Sequence, residues 1–127
     1  MQKILIVDDI ATNRKLLKQT LRALKDYEII EAANGLEAIE RYKEDAPDLI
    51  LMDINMPEMD GFTATRIIRR KQVQARNGEH MPIIAMTAGV MIDDREACLS
   101  GGMDDFVAKP FRQADLEKVL RRWFSME

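Results

Sequence analysis

The chain has 127 residues, of which 46% are hydrophobic and 32% charged, and its formal net charge is −3. This length suits one domain with one substantial core, so we expect a single domain over residues 1–127. The slight acidity and the absence of a long basic stripe argue against direct nucleic-acid binding. No apolar run approaches membrane-spanning length, the N-terminus turns acidic too soon for a secretory signal, and the single Cys98 has no cysteine to pair with. We therefore expect a cytoplasmic protein with no membrane contact.

Short apolar runs alternate with amphipathic segments along the whole chain. The predicted strands are Lys3–Val7, Glu28–Ala32, Asp48–Met52, Pro82–Met86 and Asp104–Ala108. A helix is predicted after each strand. The first helix runs through Leu24 and could be capped by Asp9 or Thr12. The other predicted helices are 36–45, Phe62–Arg76, a helix closed by Gly101-Gly102, and a C-terminal helix. This alternation predicts an α/β fold, a doubly wound five-stranded parallel sheet flanked by five helices.

Some charged residues are predicted to lie on the surface. In the third helix, Ile67 and Ile68 are expected to face inward, and Arg66, Arg69 and Arg70 outward. Asp104 and Asp105 begin the fifth strand, at the edge of the sheet opposite the strand ends considered next, and are also interpreted as surface residues.

Polar residues follow four of the five apolar runs. The first strand ends in Asp8-Asp9, the third in Asp53, the fourth in Thr87 and the fifth in Lys109. In a parallel sheet these ends share one edge, so their side chains can converge in one pocket. Carboxylates placed that close repel one another unless a cation binds, and oxygen ligands without His or Cys point to Mg²⁺ rather than Zn²⁺.

Asp53 is the candidate reactive group of this pocket. A carboxylate beside Mg²⁺ and a lysine is a plausible nucleophile toward phosphorus, because metal and ammonium neutralise the phosphoryl oxygens. Thr87 adds a hydroxyl donor to the same oxygens. An aspartate at a strand end is often only a helix cap or a turn former, and for Asp9 this simpler interpretation stays open.

At this point the sequence resembles a family, the receiver domain of two-component response regulators, also called CheY-like. The resemblance spans essentially the whole chain and rests on ILIVDD, LILMDINMPEMDG, IIAMTA and FVAKPF, in that order. It implies a flavodoxin-like sheet with strand order 2-1-3-4-5. Four details resemble receivers of hybrid sensor histidine kinases in particular: Asn13-Arg14, the wording MDINMPEMDG, the run GMDDFVAKP, and the extended segment 72–80 before the fourth strand. The chain is expected to be either a stand-alone receiver or a piece of a larger protein.

The resemblance also implies roles for individual residues. Asp53 would be the phosphoacceptor, and Lys109 would pair with the phosphoryl group. Mg²⁺, for which Mn²⁺ could substitute, would be held by Asp8, Asp9, Asp53 and the backbone carbonyl of Asn55. Thr87 would move toward the phosphate and Phe106 would reorient with it; a plain core role for Phe106 stays open as the less favoured alternative. The Lys109-Pro110 peptide would be cis.

A partner carrying phosphohistidine is implied as well. This would be a histidine kinase or a histidine phosphotransfer domain, docking at the exposed start of the first helix through Ile10, Ala11 and Arg14; other domains of the same parent protein are further possible partners. Phosphorylation would switch the face formed by the fourth helix, fifth strand and fifth helix.

Two alternatives stay open. One is a phosphorylation-independent interaction module built on a receiver fold. The other is a haloacid-dehalogenase-like phosphatase, which also uses Asp, Thr or Ser, Lys and Mg²⁺; it requires an acidic residue two positions after the nucleophile, where this chain has Asn55.

Overall fold

In the computed structural model, residues 2–54, 56, 59, 61–75, 81–87, 101–109 and 111–124 are described, with the backbone alone for 71–75. The strands are β1 (Lys3–Val7), β2 (Glu28–Ala32), β3 (Leu49–Asp53), β4 (Ile83–Thr87) and β5 (Asp105–Ala108). The helices within these ranges are α1 (Ala11–Leu24), α2 (Gly35–Asp45), α3 (Gly61–Ala75) and α4 (Gln113–Trp123). In the same ranges, no helix is both long and apolar enough to cross a bilayer.

The five strands form one parallel sheet in the order β2-β1-β3-β4-β5. This confirms the predicted α/β class and strand order. Every residue of the central strands β3 and β4 is buried, as expected of strands covered by helices on both faces, whereas the edge strands β2 and β5 include partly exposed positions. Four of the five predicted flanking helices lie within the described residues; the predicted helix that ends near Ser100 lies outside them.

Alternate residues of each strand point to opposite faces of the sheet, so the apolar runs supply two cores. One core contains Leu5, Val7, Ile50, Met52 and Ile83, packed with residues of α2 and α3. The other contains Ile4, Ile6, Leu51, Ile84 and Val107, packed with residues of α1 and α4. Successive residues of a strand therefore pack against different pairs of helices, α2 and α3 on one face of the sheet and α1 and α4 on the other.

The predicted cap of α1 is wrong. The residue before the helix is Ile10, no side chain caps the first turn, and neither Asp9 nor Thr12 has that role. Instead, the Asp8 carboxylate accepts a hydrogen bond from the Ile10 amide at 2.9 Å. By contrast, Asn34, predicted only as a turn residue, caps α2 by accepting from the Glu37 amide at 2.9 Å.

The surface assignment of three charged residues is also wrong. Arg69 faces the turn before β5, where its guanidinium donates to the carbonyls of Gly102 and Met81 and to the carboxylate of Asp104. Asp105 is only 8% exposed. Its carboxylate accepts from Arg122 on α4 at 2.5 Å and from the Trp123 indole at 2.9 Å. These charges are paired within the chain, which is how a folded protein accommodates charged groups away from water.

Gly102 precedes β5 with a φ of +97°, a backbone conformation that only glycine adopts at low cost. The helix that Gly101-Gly102 is predicted to close lies outside the described residues, so the helix-terminating role stays a prediction.

Candidate functional site

Three carboxylates meet at the carboxyl edge of the sheet. Asp8 follows β1 and Asp53 ends β3, and β1 and β3 are neighbours in the sheet. Asp8 and Asp53 are 5% and 3% exposed, whereas Asp9 is exposed. One carboxylate oxygen from each of the three lies within 4.8 Å of the other two. The convergence predicted for Asp8, Asp9 and Asp53 is therefore present in the fold.

Lys109 provides a positive charge beside the two buried carboxylates. Its ammonium nitrogen lies 3.3 Å from Asp8 Oδ2 and 3.3 Å from Asp53 Oδ1, and its side chain is 25% exposed. The Lys109 amide donates to the Thr87 carbonyl at 2.7 Å, so pairing between β4 and β5 sets where the lysine leaves the sheet. Among Asp8, Asp9, Asp53 and Lys109, three carboxylates stand against one ammonium, so these four side chains together carry net negative charge.

Asp8 is held at its backbone and at its carboxylate. Its amide donates to the Ala32 carbonyl at 3.2 Å, which extends the pairing of β1 with β2. Its carbonyl accepts from Arg14 Nη1 at 2.6 Å. Its carboxylate oxygens accept separately from the Ile10 amide at 2.9 Å and from Lys109 at 3.3 Å. This leaves the Asp8 side chain little freedom to turn away from Asp53.

Gly61 makes room for the backbone that carries Asp53. A Cβ atom at Gly61 would lie 2.5 Å from the Asp53 carbonyl oxygen and 2.8 Å from the Ile54 Cα. The start of α3 therefore packs directly on the end of β3, a close approach that a larger residue prevents. The Ile54 amide donates to Met86, and the Gly61 amide to Ile54, so the turn after Asp53 is tied to β4.

The donor set fits a hard divalent cation. It consists of carboxylate oxygens alone, close enough together to ligate one ion, and two of the three residues are buried. Mg²⁺ uses few carboxylates and keeps several water ligands, which suits a site with one exposed member. Asn55, whose carbonyl the resemblance adds to this set, lies outside the described residues, as does Pro110 with the expected cis peptide.

Thr87 and Phe106 lie next to this site on β4 and β5. Thr87 ends β4 at the same edge as Asp53 and is 3% exposed. Phe106 pairs in register with Ala85, two residues before Thr87, and packs partly buried against the core shared by α2 and α3. The two residues therefore occupy adjacent strands, as a coupled movement would need, but Phe106 also contributes to the core.

A cavity of about 350 Å³ borders the site, and its lining includes Asp8, Lys109, Leu16, Leu17 and Phe111. The lining is mainly apolar apart from its charged members. Leu16, which lines this cavity, is 55% exposed, and Ile10, just before α1, is 50% exposed.

The three residues predicted to dock a partner differ in their surroundings. Ile10 and Ala11 are exposed, as expected for a docking surface. Arg14 is not freely exposed: its side chain is 17% accessible and is engaged by Asp8 and by Glu31 of β2. The sequence interpretation missed Glu31, whose only signal was a charged residue inside the apolar run EIIEA.

The family model for the response regulator receiver domain matches residues 4–121. Sensor protein GacS of Pseudomonas syringae is 38% identical over 95% of this chain, and hybrid signal transduction histidine kinase F of Dictyostelium discoideum is 37% identical over 98%. The chain spans only 13% and 11% of those two relatives.

Two solved structures are similar over nearly the whole chain. One is the receiver domain of a sensor histidine kinase of Pseudomonas aeruginosa with magnesium coordinated in its active-site cleft; it is 41% identical, with a TM-score of 0.84 over 98% of both chains. The other is the receiver domain of the Saccharomyces cerevisiae response regulator Ssk1, solved in complex with the histidine phosphotransfer protein Ypd1. It is 30% identical, with a TM-score of 0.89 over 98% of this chain and 90% of that one. The chain thus belongs to the response regulator receiver domain family.

Proposed function

We propose that the chain accepts a phosphoryl group on Asp53 from a phosphohistidine partner and acts as a phosphorylation switch. The observation that carries this proposal is the buried Asp53 carboxylate, 3.3 Å from Lys109 and grouped with Asp8 and Asp9. A carboxylate so buried, with one shared ammonium and two acidic neighbours, is poorly explained as a surface turn or a helix cap. The burial and the neighbours of Asp53 are better explained if this carboxylate is a reactive group, whose surroundings are arranged to bind a cation and a phosphoryl group.

In the proposed reaction, a carboxylate oxygen of Asp53 attacks phosphorus while the bond from phosphorus to the partner's histidine nitrogen breaks, so that Asp53 becomes an acyl phosphate. Lys109 turns its ammonium from the carboxylate to the phosphoryl oxygens, and the Thr87 hydroxyl donates to another of them. Asp8 and Asp9, with the Asn55 carbonyl, would hold Mg²⁺ or Mn²⁺. When bound, that ion supplies neutralisation of the phosphoryl charge.

The proposed switch follows from the new charge. Movement of Thr87 toward the phosphoryl group vacates space between β4 and β5 into which Phe106 can turn. The face formed by β5 and α4, with the predicted helix before β5, then changes its packing; this is a shift between two populations of one fold. The chain would take part in its own phosphorylation and dephosphorylation without being a turnover enzyme.

One solved structure and the curated relatives support the proposed partners. A receiver domain similar to this chain binds a histidine phosphotransfer protein in the Ypd1–Ssk1 complex, and the curated relatives described above are sensor or hybrid kinases. We therefore propose a histidine kinase or phosphotransfer domain as donor, with Ile10 and Ala11 in the docking surface. Other domains of a parent protein are further proposed partners. Residues 1–127 would act as one receiver domain in the cytoplasm.

The test is intact mass after incubation with acetyl phosphate, with and without Mg²⁺, for the protein and for Asp53→Asn. The expected result is a Mg²⁺-dependent gain of about 80 Da, one phosphoryl group, that the substitution abolishes. A short-lived acyl phosphate is covered by repeating the comparison with beryllofluoride. If the unaltered protein neither gains mass nor binds beryllofluoride with Mg²⁺, the phosphoacceptor proposal is wrong and an interaction module remains.

A further inference from the structure

Arg14 links three parts of the chain near the metal-binding carboxylates. From the first turn of α1, its Nη1 donates to the carbonyl oxygen of Asp8 at 2.6 Å. Its Nε donates to Glu31 Oε1 on β2 at 3.2 Å. Lys18, one turn further along α1, binds the other oxygen of Glu31 at 3.3 Å. Arg14 is thus connected both to the peptide that follows Asp8 and to the strand beside it.

The carbonyl that Arg14 contacts belongs to the peptide between two of the three clustered carboxylates. Asp8 and Asp9 share this peptide, so its orientation decides where the Asp9 side chain leaves the backbone relative to that of Asp8. The Asp8 amide is already fixed by the Ala32 carbonyl. The bond from Arg14 fixes the other end of Asp8, and a charged donor at 2.6 Å is a strong constraint.

The accessibility of Arg14 argues for this internal role. Its side chain is 17% exposed, whereas Lys18, which shares Glu31, is 33% exposed. The neighbouring Ile10 is 50% exposed and has no charge to satisfy. A guanidinium committed to a carbonyl and a carboxylate of its own chain would have to break those contacts to bind a partner.

We propose that Arg14 is a positioning residue for the cation site, holding the Asp8–Asp9 peptide so that both carboxylates face Asp53. This inference rests on the proposed function, because it assumes that these carboxylates bind Mg²⁺. Replacing a residue that hydrogen-bonds to a metal ligand and orients it commonly weakens metal binding about 10- to 100-fold. Since Arg14 acts on one peptide and leaves every ligand in place, the effect of Arg14→Met is expected at the lower end, about tenfold.

The experiment is a Mg²⁺ titration of the protein alone, at constant ionic strength, followed by backbone amide NMR shifts at residues 8 and 9. Arg14→Met is expected to raise the dissociation constant about tenfold. Lys18→Met is the matched control, because it removes an ion pair with the same Glu31, whereas the bond to the Asp8 carbonyl comes from Arg14. Lys18→Met should bind Mg²⁺ as the unaltered protein does. Glu31→Gln, which keeps the bond from Arg14 to Asp8, should fall between the two.

Urea unfolding of the same variants separates positioning from general loosening. If Mg²⁺ affinity falls in step with stability across Lys18→Met, Glu31→Gln and Arg14→Met, Arg14 is merely structural and the inference is overturned. An unchanged Mg²⁺ affinity in Arg14→Met, with slower phosphotransfer from a protein donor, overturns it in favour of docking. If the unaltered protein does not bind Mg²⁺, the metal site of the proposed function fails and the inference fails with it. If Arg14 proves merely structural or a docking residue, the proposed function stands.

Discussion

Replacing Arg69 by Met should destabilise the fold without disturbing the carboxylate site. Arg69 donates to the Met81 carbonyl at 2.6 Å, to the Gly102 carbonyl at 2.9 Å and to Asp104 Oδ2 at 2.6 Å. It thereby joins α3 to the segment before β4 and to the turn before β5. Methionine keeps much of the apolar stem and the helix propensity but leaves two carbonyls and a carboxylate without their donor.

The size of the loss can be bounded from these contacts. Removing one partner of a buried ion pair costs about 3–5 kcal/mol. The Arg69 and Asp104 side chains are 19% and 13% exposed, so some water reaches the Asp104 carboxylate once Arg69 is replaced. Asp104 also keeps a bond from the Ile83 amide at 2.8 Å. Burial lowers the pKa of Arg69, an effect that Asp104 opposes, so desolvation of the guanidinium already offsets part of the pairing. These corrections favour the lower end, about 3 kcal/mol.

Urea unfolding followed by far-UV circular dichroism measures this loss, provided that the m-value stays constant. Arg70→Met is the matched control, because Arg70 is the exposed neighbour on the same helix and its replacement should stay within about 0.5 kcal/mol. Acceptance of phosphate by Asp53 should persist in Arg69→Met, since Arg69 lies at the opposite edge of the sheet. A difference below about 1 kcal/mol between the two variants would refute a stabilising network at Arg69.

Two further outcomes are expected at the site. Lys109→Met should bind Mg²⁺ about fivefold more tightly, because it removes a partly exposed ammonium whose ion pairing with Asp8 and Asp53 is worth roughly 1 kcal/mol and competes with the metal. The same variant should accept phosphate more slowly, because the phosphoryl oxygens lose their cationic partner. Metal titration and intact mass over time measure the two effects, and weaker Mg²⁺ binding would contradict the assigned electrostatics. Ile10→Ser should slow transfer from a phosphohistidine protein but not from acetyl phosphate, because half of the Ile10 side chain is exposed and would meet a docked partner, while its backbone bond to Asp8 is kept. Equal slowing with both donors would place its effect inside the site instead.

The strands and the polar residues at their ends could be predicted from the sequence, because both depend on the pattern of apolar and polar residues within a few positions. Apolar runs such as Ile50–Met52 form strands wherever both faces are covered, and the residue that ends such a run is carried to the carboxyl edge. Boundaries moved by one residue: β3 begins at Leu49 and includes Asp53, and β4 includes Thr87. Such shifts are small because the buried residues between the boundaries are unchanged.

Polarity misled the interpretation where a charged residue had a distant partner. Arg69 lies in a helix with other arginines, so its pattern is that of a solvated face, yet it meets Asp104, 35 positions away. Asp105 starts an edge strand but is covered by Arg122 and Trp123 of α4. A sequence shows that a charge exists, whereas burial of that charge depends on whether the fold brings an opposite charge to it.

The sequence by itself determined the class of fold, the succession of strands and helices along the chain, and the residues that stand at the carboxyl ends of strands, since these follow from periodicity and chain direction; the order of strands within the sheet was implied by the family resemblance. Only the tertiary structure decided how those residues are held. Lys109 meets Asp8 across 101 positions, and Arg14 binds the Asp8 carbonyl instead of facing solvent. Such contacts depend on the register between strands and on the rotation of α1 against the sheet. Both are set by packing of the two cores as a whole, and no local pattern encodes them.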